Sequence, residues 1–449
     1  MPRTADSKFS EVHLGEQSES DPVELDEDKP FRILLMGDFS GRAWRKNPPR
    51  SFTPHAIDRD NFEEVMEDMD VALKLHGATL KFREIEDFHP DKLYHAAAPL
   101  FREVEKQLKK GDAAVRAAAP SPAPPRAASG GSLLDMIVSE QGDEPSRPAQ
   151  VEEANDLAAF IARVSKGHTE AKPTAEQKQR AAHRESLESQ IMRGLLRHPH
   201  LQHIEAAWRA VSMLVRGLDT DGPLRLYVLD ITLPELISEL DTVRQEIKKK
   251  GPWAVIIGNY SFGQTEMDTQ ALHRIARLAS SMRAPFLAEA HLHGEGETQD
   301  WHDFRRSAEA RWIGLALPRF LMRLPYGKET SAIESFAFEE MPQSEHQAYL
   351  WGNPAFFCAL LLGKSFLAHG WDLNPIERRI DNLPMHVYRD DDGESVAKPV
   401  AEVLLTEREA LNLLDAGFMP VASLKHEPAA LIVRFQSIAE PTAPLAGLS

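Results

Sequence analysis

The chain has 449 residues, 42% of them hydrophobic and 27% charged, which suits two or three domains around a large core. A formal net charge of -17 and a single cysteine argue against a nucleic-acid partner and rule out an internal disulfide. The charge also sets a condition on self-association: copies repel overall and must be drawn together by local patches.

Residues 1–30 form an acidic, polar arm without the apolar core of a signal peptide. Within it residues 8–14 (KFSEVHL) become a strand only if something pairs with them. The FRILLM run at 31–36 reads as a buried strand, and GDFSGR at 37–42 as the turn after it. That loop is glycine-rich but lacks the lysine of a P-loop and the spacing of a dinucleotide fold, so a turn is preferred to a phosphate cradle. Asp60 is expected to cap a helix carrying Phe62, Val65, Met66 and Met69. Residues 79–85 (TLKFREI) alternate as a half-buried strand, and Asp87 and Pro90 open a second helix.

Residues 113–131 are dominated by alanine, proline, serine and glycine and read as a linker. The division expected is an arm (1–30), a first region (31–111), a linker stretch (112–150), an α/β domain (151–440) and a tail (441–449). Inside the linker stretch, residues 132–140 (SLLDMIVSE) place Leu133, Leu134, Ile137 and Val138 on one side. Flanked by flexible sequence, this segment suits a docking helix, for this chain or for a partner groove.

From 151 to 217 the pattern is helical, broken at Pro199, and the three histidines of HPHLQH (198–203) read as helix-end polar residues. Strands follow at 224–231, 253–257 and 284–292, alternating with helices, which predicts an α/β fold with a mixed, largely parallel sheet flanked by helices. Ligands in such sheets gather at the carboxyl ends of the strands, so His291, His293, His302 and Asp303 are the only candidate cluster for a metal or acid–base site. A polar loop at the sheet edge is the preferred reading. Residues 303–371 combine Arg305, Arg306, Arg311, Arg319 and Arg323 with a dense apolar run that includes Cys358, and read as a packing element. Its most apolar part, around 355–363, is too short to span a bilayer, so a cytoplasmic chain without membrane insertion is expected. A turn at 390–393, a helix with Thr406 as N-cap and Glu409 at the capping-box position, and two apolar strands complete the chain.

Many of these blocks together carry a family resemblance. FRILLMGDFSGR, AIDRDNFEEVM and LKFREIEDFHPDKL resemble the small sheath subunit (TssB) of the type VI secretion contractile tail. SLLDMIVSE, LRHPHLQHIEAAWRAVSMLV, FRRSAEARWIGLALPRFLMRLPYG, ESFAFEE, AYLWGNPAF and GFMP resemble the large subunit (TssC). The resemblance implies a non-enzymatic structural protein with no cofactor. Small and large subunits of that family form an intertwined α/β heterodimer that stacks into a helical sheath around an inner tube protein. The sheath is anchored on a baseplate and recycled by an AAA+ unfoldase. It further implies an unfoldase-binding element at Leu133, Leu134, Asp135 and Ile137. In the packing stretch it implies ion pairs between the five arginines and carboxylates such as Glu334, Glu339 and Glu340, within the chain or across a contact. Here the two halves are joined, which fixes their ratio at one to one. The large half stops at Ser449, where family members continue for roughly another quarter of their length. Two alternatives stay open: a non-polymerising accessory or baseplate component, and an α/β enzyme or metal-binding protein using the His291/His293 region.

Overall fold

The computed structural model describes residues 30–45, 51–75, 77–102, 176–292, 298–342, 345–373, 376–389 and 394–448. The acidic arm, the linker, the 132–140 segment and His293 lie outside the described residues. Among the described residues fifteen strands occur: β1 (Phe31–Gly37), β2 (His55–Ile57), β3 (Ala72–Leu75), β4 (Ala78–Lys81), β5 (Leu224–Asp230), β6 (Val255–Phe262), β7 (Phe286–Ala290), β8 (Ile313–Leu317), β9 (Phe320–Leu321), β10 (Trp351–Gly352), β11 (Arg379–Ile380), β12 (Val387–Arg389), β13 (Ser395–Ala397), β14 (Met419–Ser423) and β15 (Ala430–Ile432). Nine of them form one sheet in the order β11-β15-β14-β8-β7-β6-β1-β5-β2. From β14 to β5 all neighbours are parallel, while β2 at one end and β15 and β11 at the other are antiparallel. The predicted mixed, largely parallel α/β sheet is the one observed.

The position of β1 organises the molecule. It lies between β5 and β6, with Phe31 opposite Leu224, Gly37 opposite Asp230, and Ile33 to Met36 opposite Val255 to Gly258. A strand from the first region is thus the inner strand of a sheet whose other parallel members all come from beyond residue 223. Phe31, Ile33, Leu34, Leu35 and Met36 are all fully buried. At about 1.5–3 kcal/mol for each large apolar side chain, exposing them together costs on the order of 8–15 kcal/mol. That matches the whole stability of an ordinary domain, so β1 cannot leave while the fold survives.

Alternation along β1 divides two core layers. Phe31, Ile33 and Leu35 face a layer that holds Val65 and Met66, the Pro199–Gly217 helix and the Pro354–His369 helix. Leu34 and Met36 face the other, which holds Val243 and Ile247 of the Leu240–Lys250 helix and Leu272, Ile275 and Ala276 of the Glu266–Met282 helix. The Pro354–His369 helix is buried almost all round, as its apolar run requires, and burial pushes the Cys358 thiol up.

Local signals resolve mostly as the sequence suggests. Thr406 caps its helix with Glu409 closing the capping box, and the helices part at Pro199; Thr232 and Glu235 form a second capping box that was not among the expectations. Three details differ. The helix expected after Asp60 starts at Phe62 with Asn61 as N-cap and no side-chain cap bond; Asp58, not Asp60, accepts the nearby backbone N–H groups. The strand expected at 79–85 ends at Lys81, because Asp87 accepts from the N–H groups of Arg83 and Glu84 and pulls the chain into the Ile85–Phe88 turn of helix. The strand expected at 253–257 runs instead from Val255 through Gly258 to Phe262; a Cβ on Gly258 would collide with the Phe286 ring, so glycine permits the close strand approach.

Candidate functional site: the junction between the two segments

The loop after β1 is the place where an open α/β sheet would receive a ligand. Here it is filled by the chain's own carboxylates. The backbone N–H groups of Phe39 and Ser40 donate to Asp230 Oδ1 at 2.9 and 3.1 Å. Those of Gly41 and Arg42 donate to Asp38 Oδ1 at 2.9 and 3.1 Å, and that of Ala43 to Asp38 Oδ2 at 3.2 Å. Five successive donors that could cradle a phosphate are therefore occupied. Gly41 holds φ at +72°, and a Cβ on it would lie 2.8 Å from the Ala72 carbonyl, so the loop cannot be traced by another residue without strain.

Arg42 completes the closure. Its guanidinium forks onto Glu235 at 2.5 and 2.6 Å and donates from Nε to Asp230 Oδ2 at 2.8 Å. The same Glu235 caps the Leu233–Ser238 helix, so one carboxylate fixes both the helix start and the first segment's arginine. Burial would lower the Arg42 pKa, but Glu235 and Asp230 raise it on balance. Burial, then Asp230, pushes Asp38 up to about 6. Trp208 Nε1 donates to the Phe39 carbonyl at 2.8 Å, and Trp44 stacks on His200 at 4.2 Å with His203 edge-on at 5.2 Å. The histidines of HPHLQH are thus used for helix capping and for packing on the first segment; burial, then His200, holds His203 down at about 4.

A second polar junction lies beneath a cleft of about 640 Å3 lined by both segments, among them His89, Asp91, Arg209, Arg323, Tyr326 and Ser331. Arg323 bonds Glu205 and Glu340, each at 2.7 Å, and its guanidinium lies 4.1 Å from the Tyr326 ring centroid. Arg209, one helical turn from Glu205, adds a bond at 2.8 Å. Burial would raise the Glu205 carboxyl, but Arg323 and Arg209 hold it below the ordinary value. From the first segment, Asp91 accepts from the backbone N–H groups of Glu334 and Ser335, and His89 meets Ser331 at 3.2 Å.

The structure distributes the other arginines of the packing stretch differently from their sequence neighbours. Arg305 donates to the Ile438 carbonyl at 2.8 Å, Arg306 reaches Glu440 at 3.5 Å, and Arg319 forks onto Glu402 at 2.6 and 2.8 Å. Arg311 is exposed, and its backbone carbonyl accepts from Ala446. Of the named carboxylates, Glu340 meets Arg323, Glu339 accepts from the Lys328 N–H, and Glu334 is held through its backbone by Asp91. Glu205, the carboxylate buried most deeply in this network, was absent from the expectation. Its signal was present: in HIEAAWRAV it falls on the same helical side as Leu201, Trp208 and Ser212, which are buried.

The alternative cluster does not converge among the described residues. His291 Nδ1 lies 3.0 Å from Ser261 Oγ, which donates to Glu289 at 2.9 Å. The serine is the middle member, whereas a nucleophilic triad needs the histidine between hydroxyl and carboxylate. His302 lies 3.9 Å from Glu440, and Asp303 accepts from Gln299 at 2.9 Å. No group of three or more His, Cys, Asp or Glu placed to hold a metal occurs among the described residues. Nor is any of their helices long and apolar enough to cross a membrane.

Fold and site together define an interlocked α/β protein in which Arg42, through Asp230 and Glu235, and Asp91, through the Glu334 and Ser335 N–H groups, tie two segments of one chain to each other. Two family models match it in the same two places. One is VipB (EvpB/VC_A0108, tail sheath N-terminal domain), over residues 181–294 and 290–439. The other is T6SS_VipA (Type VI secretion system, VipA, VC_A0107 or Hcp2), over residues 11–109. The chain belongs to the VipB tail-sheath family of type VI secretion and carries a VipA-type segment ahead of it. Among curated proteins it is similar to the type VI secretion system sheath protein TssC1 of Pseudomonas aeruginosa, 30% identical over 289 residues. That alignment covers 55% of this chain and 58% of TssC1, so the chain spans little more than half the length of that relative.

Proposed function

We propose that the chain is a structural component of a type VI secretion contractile sheath, with small and large sheath subunits joined in one polypeptide, and that it acts by self-assembly in the cytoplasm. The observation that carries this reading is β1, a strand of the VipA-type segment held between two strands of the VipB-type segment. Joined this way, the segments are one building block in fixed ratio rather than two proteins that must find each other. The partners are further copies of the chain, an inner tube protein, a baseplate, and an AAA+ unfoldase that takes hold of Leu133, Leu134, Asp135 and Ile137. Ion pairs such as Arg323 with Glu205 and Glu340 serve packing within the building block. Negative-stain microscopy of the purified chain tests the reading. Tubes or rings are expected, and a monomer that persists at high concentration would remove self-assembly from it.

A further inference from the structure

Lys398, one residue beyond β13, ends among rings and charged groups that neither segment junction uses. Its Nζ lies 2.6 Å from His346 Nδ1, and 5.5 and 5.9 Å from the centroids of the Tyr349 and Trp351 rings. The other nitrogen of the same imidazole, Nε2, lies 4.0 Å from Glu402 Oε1, and Arg319 forks onto that carboxylate from the far side of β8. The backbone fixes the arrangement at both ends. The Lys398 N–H donates to the His386 carbonyl at 2.7 Å, and Trp351 Nε1 donates to the His346 carbonyl at 3.2 Å.

A surface lysine ordinarily turns its ammonium to water or to a carboxylate. This one ends on a nitrogen able to accept its proton. Burial holds the Lys398 amine below its ordinary pKa, although Glu402 works the other way; burial, then Lys398, does the same to His346. A neutral imidazole that accepts at Nδ1 carries its proton on Nε2, the nitrogen nearest Glu402. Amine, base and orienting carboxylate therefore follow one another in the order that activates a nucleophile. The chain through Ser261 fails that order; here the histidine is the middle member. The His346 side chain is 44% exposed and Lys398 is half-buried, so a small reagent can reach Nζ.

We propose that Lys398 is a modification site, whose amine takes the acyl group of a small activated carboxylate (an acyl phosphate or a thioester) with His346 as the base. The neutral amine attacks the acyl carbon. The carbon–oxygen or carbon–sulfur bond to the leaving group breaks, and the leaving group departs with that electron pair. The proton released from Nζ passes to His346 Nδ1 and on to solvent. The product is a neutral amide, so the cation beside Tyr349 and Trp351 is lost. With it goes one tie between the β12–β13 hairpin and the stretch from His346 to Trp351. The inference stands apart from the self-assembly reading.

Acetylation of the full-length chain at neutral pH tests it, with acetyl phosphate and acetyl-coenzyme A in separate arms and each lysine followed by peptide mass spectrometry. With at least one reagent, Lys398 is expected to react about tenfold or more faster than the exposed Lys74 and Lys425. The faster arm identifies the kind of donor. His346→Gln is expected to melt like the wild type and to bring Lys398 down to the rate of those two lysines. The proposal is overturned if Lys398 reacts no faster than Lys74 and Lys425 in both arms, which would leave only a solvated cation beside two rings. It is equally overturned if a folded His346→Gln chain keeps the wild-type rate at Lys398. Should that variant misfold, the comparison among lysines of the wild type decides.

Discussion

Replacing Arg323 by methionine isolates the contribution of the buried charge network. The Arg323 side chain is 9% exposed, and those of Glu205 and Glu340 are 0% and 1% exposed. Methionine fills similar space but leaves Glu340 without its arginine and Glu205 with Arg209 alone. Removing one partner of a buried pair costs about 3–5 kcal/mol, mostly as the penalty of the orphaned charge. At about 2.1 cal/mol/K of unfolding entropy per residue, that is a loss of roughly 3–5 °C in Tm for a chain of 449 residues. The pH dependence has a definite sign. Glu205 is held below its ordinary pKa by Arg323 and Arg209, so its contribution is present above the carboxylate range and lost as pH falls. Without Arg323 that carboxyl rises, and the gap between variant and wild type narrows on acidification. Substituting Glu205 and Glu340 by leucine in the same background should restore most of the loss. Calorimetric melts at pH 5 and 7 are the assay; an Arg323→Met variant melting within 1 °C of the wild type at both pH values, on the scale above, would refute the reasoning.

Other consequences are as direct. Asp38, pushed up to about 6, keeps its proton when folded where the unfolded chain has lost it, so stability falls as pH rises from about 4 to 6. Asp38→Asn should flatten that limb of a Tm–pH profile, and a profile parallel to the wild type would count against it. A protease site inserted between residues 113 and 131 should yield two fragments that co-elute on size exclusion and separate only in denaturant, since β1 remains between β5 and β6. Separation under native conditions would contradict the interlock. Charged substitutions at Leu134 and Ile137 should abolish pull-down by the cognate unfoldase while the melt is unchanged; undiminished capture would end that assignment.

What the sequence disclosed follows the range of the forces involved. Buried parallel strands such as FRILLM are apolar runs, and caps such as Thr406 with Glu409 are three residues apart, so both are legible locally. The place of β1 between β5 and β6 is not, because pairing partners so remote in sequence leave no local trace. The same holds for the filled loop, whose Asp230 lies 191 positions from Phe39. Nearby glutamates were natural partners for the arginines of the packing stretch, yet the tertiary fold brings Arg319 to Glu402 and Arg305 to a carbonyl instead. Only Arg323 finds a carboxylate from its own neighbourhood, Glu340.

The inner place of β1 also bears on how the chain is made. Synthesis runs from the N-terminus at about 5–20 residues per second, so the 191 positions between Phe39 and Asp230 correspond to roughly 10–40 seconds. Throughout that interval the most apolar strand of the first segment has left the ribosome and its neighbours have not. Folding must then close a very long loop before β1 gains either ladder, a slow step that leaves an aggregation-prone strand waiting. Residues 31–36 therefore spend most of the time needed to make the chain as far as β6 without either of their sheet partners.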